Sequence, residues 1–119
     1  MLREMMIGKI HRGVITEANI HYMGSITLDP DMMEKSNILE NQKVQVVDIN
    51  NGKRFETYAI TGKRGSRTIC INGAAARLVT PGDRIIIISY GLISEKELKE
   101  YEPKILLLNE KNESILGEI

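Results

Sequence analysis

The dipeptide Gly24-Ser25 carries the first chemistry that stands out in this chain. Gly24 has no Cβ, so its carbonyl is open to attack and its backbone reaches dihedrals that other residues avoid. Ser25 brings a hydroxyl to the very next position. A serine hydroxyl that attacks the preceding carbonyl turns the amide into an ester, by an N-to-O acyl shift. β-Elimination of that ester breaks the chain and leaves dehydroalanine, which hydrolyses to a pyruvoyl group with loss of ammonia. Such attack needs a donor to the carbonyl oxygen and a strained loop. In most sequences the same dipeptide is only a turn before a strand, so the pair needs company.

Three other segments supply it. Arg54 and Tyr58 have the same parity in Arg54-Phe55-Glu56-Thr57-Tyr58 and project from one face of a strand. A guanidinium holds a carboxylate through two parallel hydrogen bonds. A tyrosine phenol keeps its proton at neutral pH and can donate it. In Ile71-Asn72-Gly73-Ala74-Ala75-Ala76-Arg77, a strand runs into small residues that let a ligand approach the main-chain amides. Lys9 and His11 share a face of an early strand and could line an anion pocket. Taken singly, these are a solvated arginine, a structural tyrosine, a tight turn and a solvent-facing strand.

Other chemistries are poorly served. His11, His21 and Cys70 offer no spacing of the His-x-x-x-His or Cys-x-x-Cys kind, so no metal site is expected. Gly62, Gly65, Gly73 and Gly82 sit in turns and match neither the phosphate-binding loop nor the dinucleotide fingerprint. Cys70 lies in the β-like run Thr68-Ile69-Cys70-Ile71 and reads as a buried small hydrophobe, not a nucleophile. One thiol builds no internal disulfide, which fits a reducing compartment.

The elements that must position these residues are short. Met5 to Thr16 reads as one or two strands, and Ser25 to Asp29 as another. Asp29-Pro30-Asp31 then marks a helix start, with a capping carboxylate, a proline for the first position and an acid for the positive dipole end. The helix runs through Met32 and Met33 and stops before Asn41. Val44 and Val46 alternate within a strand from Lys43 to Ile49, and Arg54 to Thr61 alternates likewise. Asn51-Gly52 between them predicts a hairpin. Gly62-Lys63-Arg64-Gly65 turns into a strand at Thr68 to Ile71. Pro81-Gly82-Asp83 turns into the run Ile85 to Ile88. Ser94-Glu95-Lys96-Glu97 fits a capping box, and a last strand covers Ile105 to Leu108. Many short strands with Gly-rich turns and two small helices predict a mainly β chain, a small β-barrel.

Composition sets the remaining bounds. The 119 residues suit a single domain over 1–119. Lys and Arg total 16, as do Asp and Glu, so the net charge is zero. This balance argues against nucleic acid or an anionic membrane as partner and leaves self-association open. The N-terminus does not resemble a signal peptide, and the apolar run Ile85 to Ile93 is too short to span a bilayer. A cytoplasmic location is expected.

Together the four segments resemble the pyruvoyl-dependent aspartate 1-decarboxylases. The resemblance rests on Gly8-Lys9-Ile10-His11-Arg12, His21-Tyr22-Met23-Gly24-Ser25, Asn51-Gly52-Lys53-Arg54-Phe55-Glu56-Thr57-Tyr58-Ala59-Ile60, Arg64-Gly65-Ser66-Arg67 and Asn72-Gly73-Ala74-Ala75-Ala76. It implies a six-stranded double-psi β-barrel with short helices, assembled as a homotetramer. It implies self-cleavage into residues 1–24 and a larger chain, 25–119, that begins with a pyruvoyl group derived from Ser25. That covalent cofactor forms a Schiff base with L-aspartate, and the β-alanine released serves pantothenate and coenzyme A synthesis. Tyr58 is then the proton donor. Thr57 and the Gly73-Ala74-Ala75 backbone contact substrate, and Lys9 and Arg54 bind carboxylate. His11, Tyr22 and Asn72 support cleavage or orient the site. Some relatives also need a maturation factor as partner. Two other readings stand beside this one: a pyruvoyl enzyme for another acidic amino acid such as glutamate, and a non-enzymatic nucleic-acid-binding barrel using Lys63, Arg64 and Arg67.

Overall fold

The computed structural model describes residues 1–119. Eight strands form one hydrogen-bonded order. They are β1 (Leu2–Val14), β2 (Glu17–Asn19), β3 (Ser25–Leu28), β4 (Lys43–Asp48), β5 (Arg54–Thr61), β6 (Ile69–Asn72), β7 (Arg84–Ser94) and β8 (Lys104–Leu107). One α-helix, α1 (Pro30–Lys35), follows β3, and two 3₁₀ turns follow β6 and β7. The order across the sheet is β2-β6-β3-β5-β4-β7-β1-β8. The expected mainly β architecture with short helices is present. Six inner strands are flanked by two short ones, β2 and β8, at the ends of the order.

The sheet curls on itself. β1 borders β7 and β8, while β2, which follows β1 after only Ile15 and Thr16, borders β6 at the opposite end. The Thr16 amide donates to the Ile69 carbonyl at 2.8 Å, carrying the ladder across the gap. Inside, alternate residues of seven strands meet in one core. Ile10, Ile26, Leu28, Val46, Ala59, Ile69, Ile71, Ile85, Ile87 and Leu106 are all fully buried there. Their burial supplies the main drive to fold, at about 25 cal/mol per Å² of apolar surface.

Local signals in the sequence explain several joints. The Asp29 carboxylate caps α1 by accepting from the Asp31 amide at 2.9 Å. It also accepts from the amides of Gly65 and Arg67, tying the helix start to the turn before β6. Met32 and Met33 point into the core. The helix ends at Lys35, where Ser36 takes over, its hydroxyl donating to the Met32 carbonyl at 2.7 Å. Gly8 in β1 passes so close that a Cβ there would lie 1.7 Å from the Ser36 carbonyl oxygen. The Ser94 capping box is present in both directions, Glu97 amide to Ser94 hydroxyl and Ser94 amide to Glu97 carboxylate, yet it starts only one 3₁₀ turn, Glu97–Lys99.

The hairpin between β4 and β5 forms as expected, with Ile49 to Lys53 as its loop. Val47 pairs with Arg54, and the Asp48 carboxylate accepts from the amides of Asn50 and Asn51, holding a wider loop closed.

Candidate active site

β3 is the strand that organises the site, because it lies between β5 and β6. It pairs antiparallel with β6, which sets Ser25 opposite Asn72, and Thr27 opposite Cys70. It pairs parallel with β5 from Ile26 against Ala59 onward, so Ser25 lies level with Tyr58 one step earlier.

The hydroxyl of Ser25 is buried and fully engaged. Asn72 Nδ2 donates to Ser25 Oγ at 3.0 Å, and Ser25 Oγ donates to the Met23 carbonyl at 3.0 Å. The other N–H of the same amide reaches Thr27 Oγ1 at 2.9 Å. Cys70 Sγ donates to Asn72 Oδ1 at 3.2 Å. Burial, with the nearby Glu17 carboxylate adding to it, pushes the Cys70 thiol up to about 11, so sulfur keeps its proton at neutral pH.

Gly24 is exposed on the side away from β6 and pressed against Gly73 on the other. A Cβ on Gly73 would meet Gly24 Cα at 2.6 Å and the Tyr22 carbonyl at 3.3 Å. Gly73 also has φ +76°, a conformation that glycine adopts at little cost. Here the chain turns from β6 into the 3₁₀ turn Gly73–Leu78, with Ala74 exposed and Ala75 half-buried. The first amides of a helical turn have no partner within the turn.

On β5, Arg54, Glu56 and Tyr58 share the face opposite to Phe55, Thr57 and Ala59. Val44 and Val46 lie across the ladder from Thr57 and Phe55 and are buried, so Arg54 and Tyr58 project outward. Lys43 stands across from Tyr58 and pairs with Glu56 at 3.2 Å. A recess of about 300 Å³ is lined by Lys43, Glu56, Thr57 and Tyr58.

The chain thus gathers Tyr22, Gly24, Ser25, Asn72 and Gly73 around one peptide bond, with Thr57 and Tyr58 on the adjoining strand. Lys9 and His11 do not join them. They lie on β1, separated from β3 by β5, β4 and β7. Burial, then the charges of Lys9, Arg12 and Arg84, lower the pKa of His11, and its Nδ1 is enclosed without a partner. Arg64 is held by Asp31 at 2.5 Å and Glu34 at 2.7 Å, so the Lys63, Arg64 and Arg67 cluster offers less free charge than its composition suggests. No group of three His, Cys, Asp or Glu side chains is gathered as a metal would require.

A sequence model described as aspartate decarboxylase matches residues 1–115. The chain belongs to the aspartate decarboxylase family. An aspartate 1-decarboxylase of Acetivibrio thermocellus is 60% identical over 115 residues, covering 97% of this chain and 91% of the relative. One of Bacillus cereus is 57% identical over the same shares. The cluster around Ser25 is the candidate site.

Two residues of that cluster, Thr27 and Cys70, were not singled out as functional by their types. Parity could have found them, since Cys70 shares a strand face with Asn72, and Thr27 with Ser25.

Proposed function

We propose that this chain cleaves itself between Gly24 and Ser25, acquires a pyruvoyl group at residue 25, and decarboxylates L-aspartate to β-alanine. The observation that carries the reading is a single juxtaposition. A buried Ser25 hydroxyl, held by Asn72, adjoins a glycine carbonyl whose backbone is packed on Gly73.

Maturation follows from these residues. Ser25 Oγ bonds to the Gly24 carbonyl carbon while the Gly24–Ser25 amide bond breaks, and the amide nitrogen takes up the hydroxyl proton. Loss of the Ser25 α-proton with cleavage of the Cβ–O bond frees the Gly24 carboxyl group. Water then replaces the nitrogen of residue 25, which departs as ammonia. The cluster suits the first step, because Asn72 already holds the oxygen that forms the ester and later leaves with the Gly24 carboxyl group, and the Gly73 side is free of any Cβ. Once formed, the pyruvoyl group supplies the electron sink that decarboxylation at an α-carbon requires.

The remaining residues handle the substrate. Arg54 holds a carboxylate through its fork. Thr57 and the amides of Gly73-Ala74-Ala75 fix the rest of the molecule. Tyr58, level with Ser25 on the adjoining strand, hands a proton to the substrate α-carbon. Such a positioned acid contributes ~10²–10⁴-fold. Lys9 and His11 act from a neighbouring copy in a homotetramer. The exposed apolar side chains Tyr22, Met23 and Leu92 support assembly. The β-alanine serves pantothenate and coenzyme A synthesis.

Incubation of processed enzyme with aspartate and with glutamate tests the substrate. β-Alanine should form with kcat/KM at least ~10-fold above that for 4-aminobutyrate, a margin of ~1.4 kcal/mol in the barrier. Equal or faster use of glutamate would remove aspartate from the proposal.

A further inference from the structure

One face of the β3–β6 pair is apolar, with Ile26 opposite Ile71 and Leu28 opposite Ile69, all in the core. The other face holds Ser25 opposite Asn72 and Thr27 opposite Cys70, and each of these four can hydrogen-bond. Ser25, Asn72 and Cys70 are 1%, 3% and 5% exposed, so their polar atoms must find partners in the protein.

Asn72 is the hub of this square. Its two N–H groups are both spent, one on Ser25 Oγ and one on Thr27 Oγ1. A carboxamide can aim its nitrogen at those hydroxyls only if its oxygen points the other way. There it meets the Cys70 thiol, the donor that suits an oxygen. If the amide were turned over, its N–H groups would face a weak sulfur acceptor and its oxygen would face the two hydroxyls.

We propose that Cys70 is a positioning residue that holds the Asn72 amide with its N–H on Ser25 Oγ, and so speeds cleavage at Gly24-Ser25. The inference rests on the self-cleavage reading above. Its physical content is orientation: the thiol touches neither reacting atom and acts only through Asn72. Glu17, the β2 partner of Cys70, is the competing acceptor for the same proton. A serine at position 70 keeps an O–H donor on the same face, whereas alanine removes it.

The test follows cleavage of freshly translated chains by intact mass, with a thermal melt of each variant. The set is wild type, Cys70→Ala, Cys70→Ser, Asn72→Ala and the Cys70→Ala/Asn72→Ala double variant. Cys70→Ala should cleave about fivefold more slowly, the effect of losing one weak hydrogen bond. Cys70→Ser should return to within about twofold of wild type. In the Asn72→Ala background, Cys70→Ala should add nothing, because the residue it orients is gone. Wild-type cleavage by Cys70→Ala, or an equal slowing in both backgrounds, would overturn the role of Cys70 and leave self-cleavage standing. A wild-type chain that stays whole would overturn both.

Discussion

Gly73 and Gly24 touch through their backbones: a Cβ built on Gly73 would lie 2.6 Å from Gly24 Cα. The contact ties the residue before Ser25 to the segment that follows β6. Gly73 also occupies the left-handed region, at φ +76°. Its small size and its conformation are therefore both in use.

Gly73→Ala tests that contact. The left-handed conformation alone costs a substituted residue ~1–2 kcal/mol, and the clash with Gly24 adds to it. The variant should melt several degrees below wild type and cleave more slowly, because the loop must move to relieve the overlap. Wild-type melting and cleavage would show that the close approach is dispensable.

Arg54 is exposed at the start of β5, with no carboxylate of its own chain paired to it. It is free for a ligand. Arg54→Lys keeps the charge and loses the planar fork. Steady-state assays on fully processed protein should show kcat/KM for aspartate reduced by ~10-fold or more, equivalent to ~1.4 kcal/mol. A change within about twofold would mean that charge alone suffices there.

Tyr58→Phe separates the two reactions. Phenylalanine keeps the ring over the recess beside Lys43, Glu56 and Thr57. The proposed cleavage uses Ser25 and its neighbours and not the Tyr58 phenol, so intact mass should still show two chains. Substrate capture should also persist, and borohydride with aspartate should label the larger chain. Turnover should fall by ~10²-fold or more, as expected for losing a positioned acid. Full turnover by processed Tyr58→Phe would assign the proton to another donor.

Local rules made some of this legible and failed elsewhere for identifiable reasons. The Asp29 cap, the β4–β5 hairpin and the Ser94–Glu97 box each depend on residues within a few positions of one another, so their spacing reveals them. β2 escaped because Glu17-Ala18-Asn19 has no strand pattern, and its extended form comes from pairing with β6. β7 runs to Ser94, beyond the expected Ile88, past Ser89, Tyr90 and Gly91. That glycine lies against Ile7, where a Cβ would sit 3.1 Å from the side chain. The site divides in the same way. Arg54 and Tyr58 share one strand and their common face follows from parity. Ser25 and Asn72 are 47 positions apart, and nothing in their spacing announces the hydrogen bond between them. Family resemblance alone brought them together before the fold did.

The most direct test of the central claim is the intact mass of wild-type protein beside Ser25→Ala. Wild type should resolve into Met1–Gly24 and a larger chain from residue 25 to Ile119. The larger chain should lack the mass of one ammonia relative to simple hydrolysis and resist stepwise N-terminal degradation. Ser25→Ala, without the attacking hydroxyl, should fold, remain a single chain of 119 residues and form no β-alanine. A wild-type chain that stays whole after long incubation, with and without a maturation factor, or β-alanine formed by Ser25→Ala, would contradict the account.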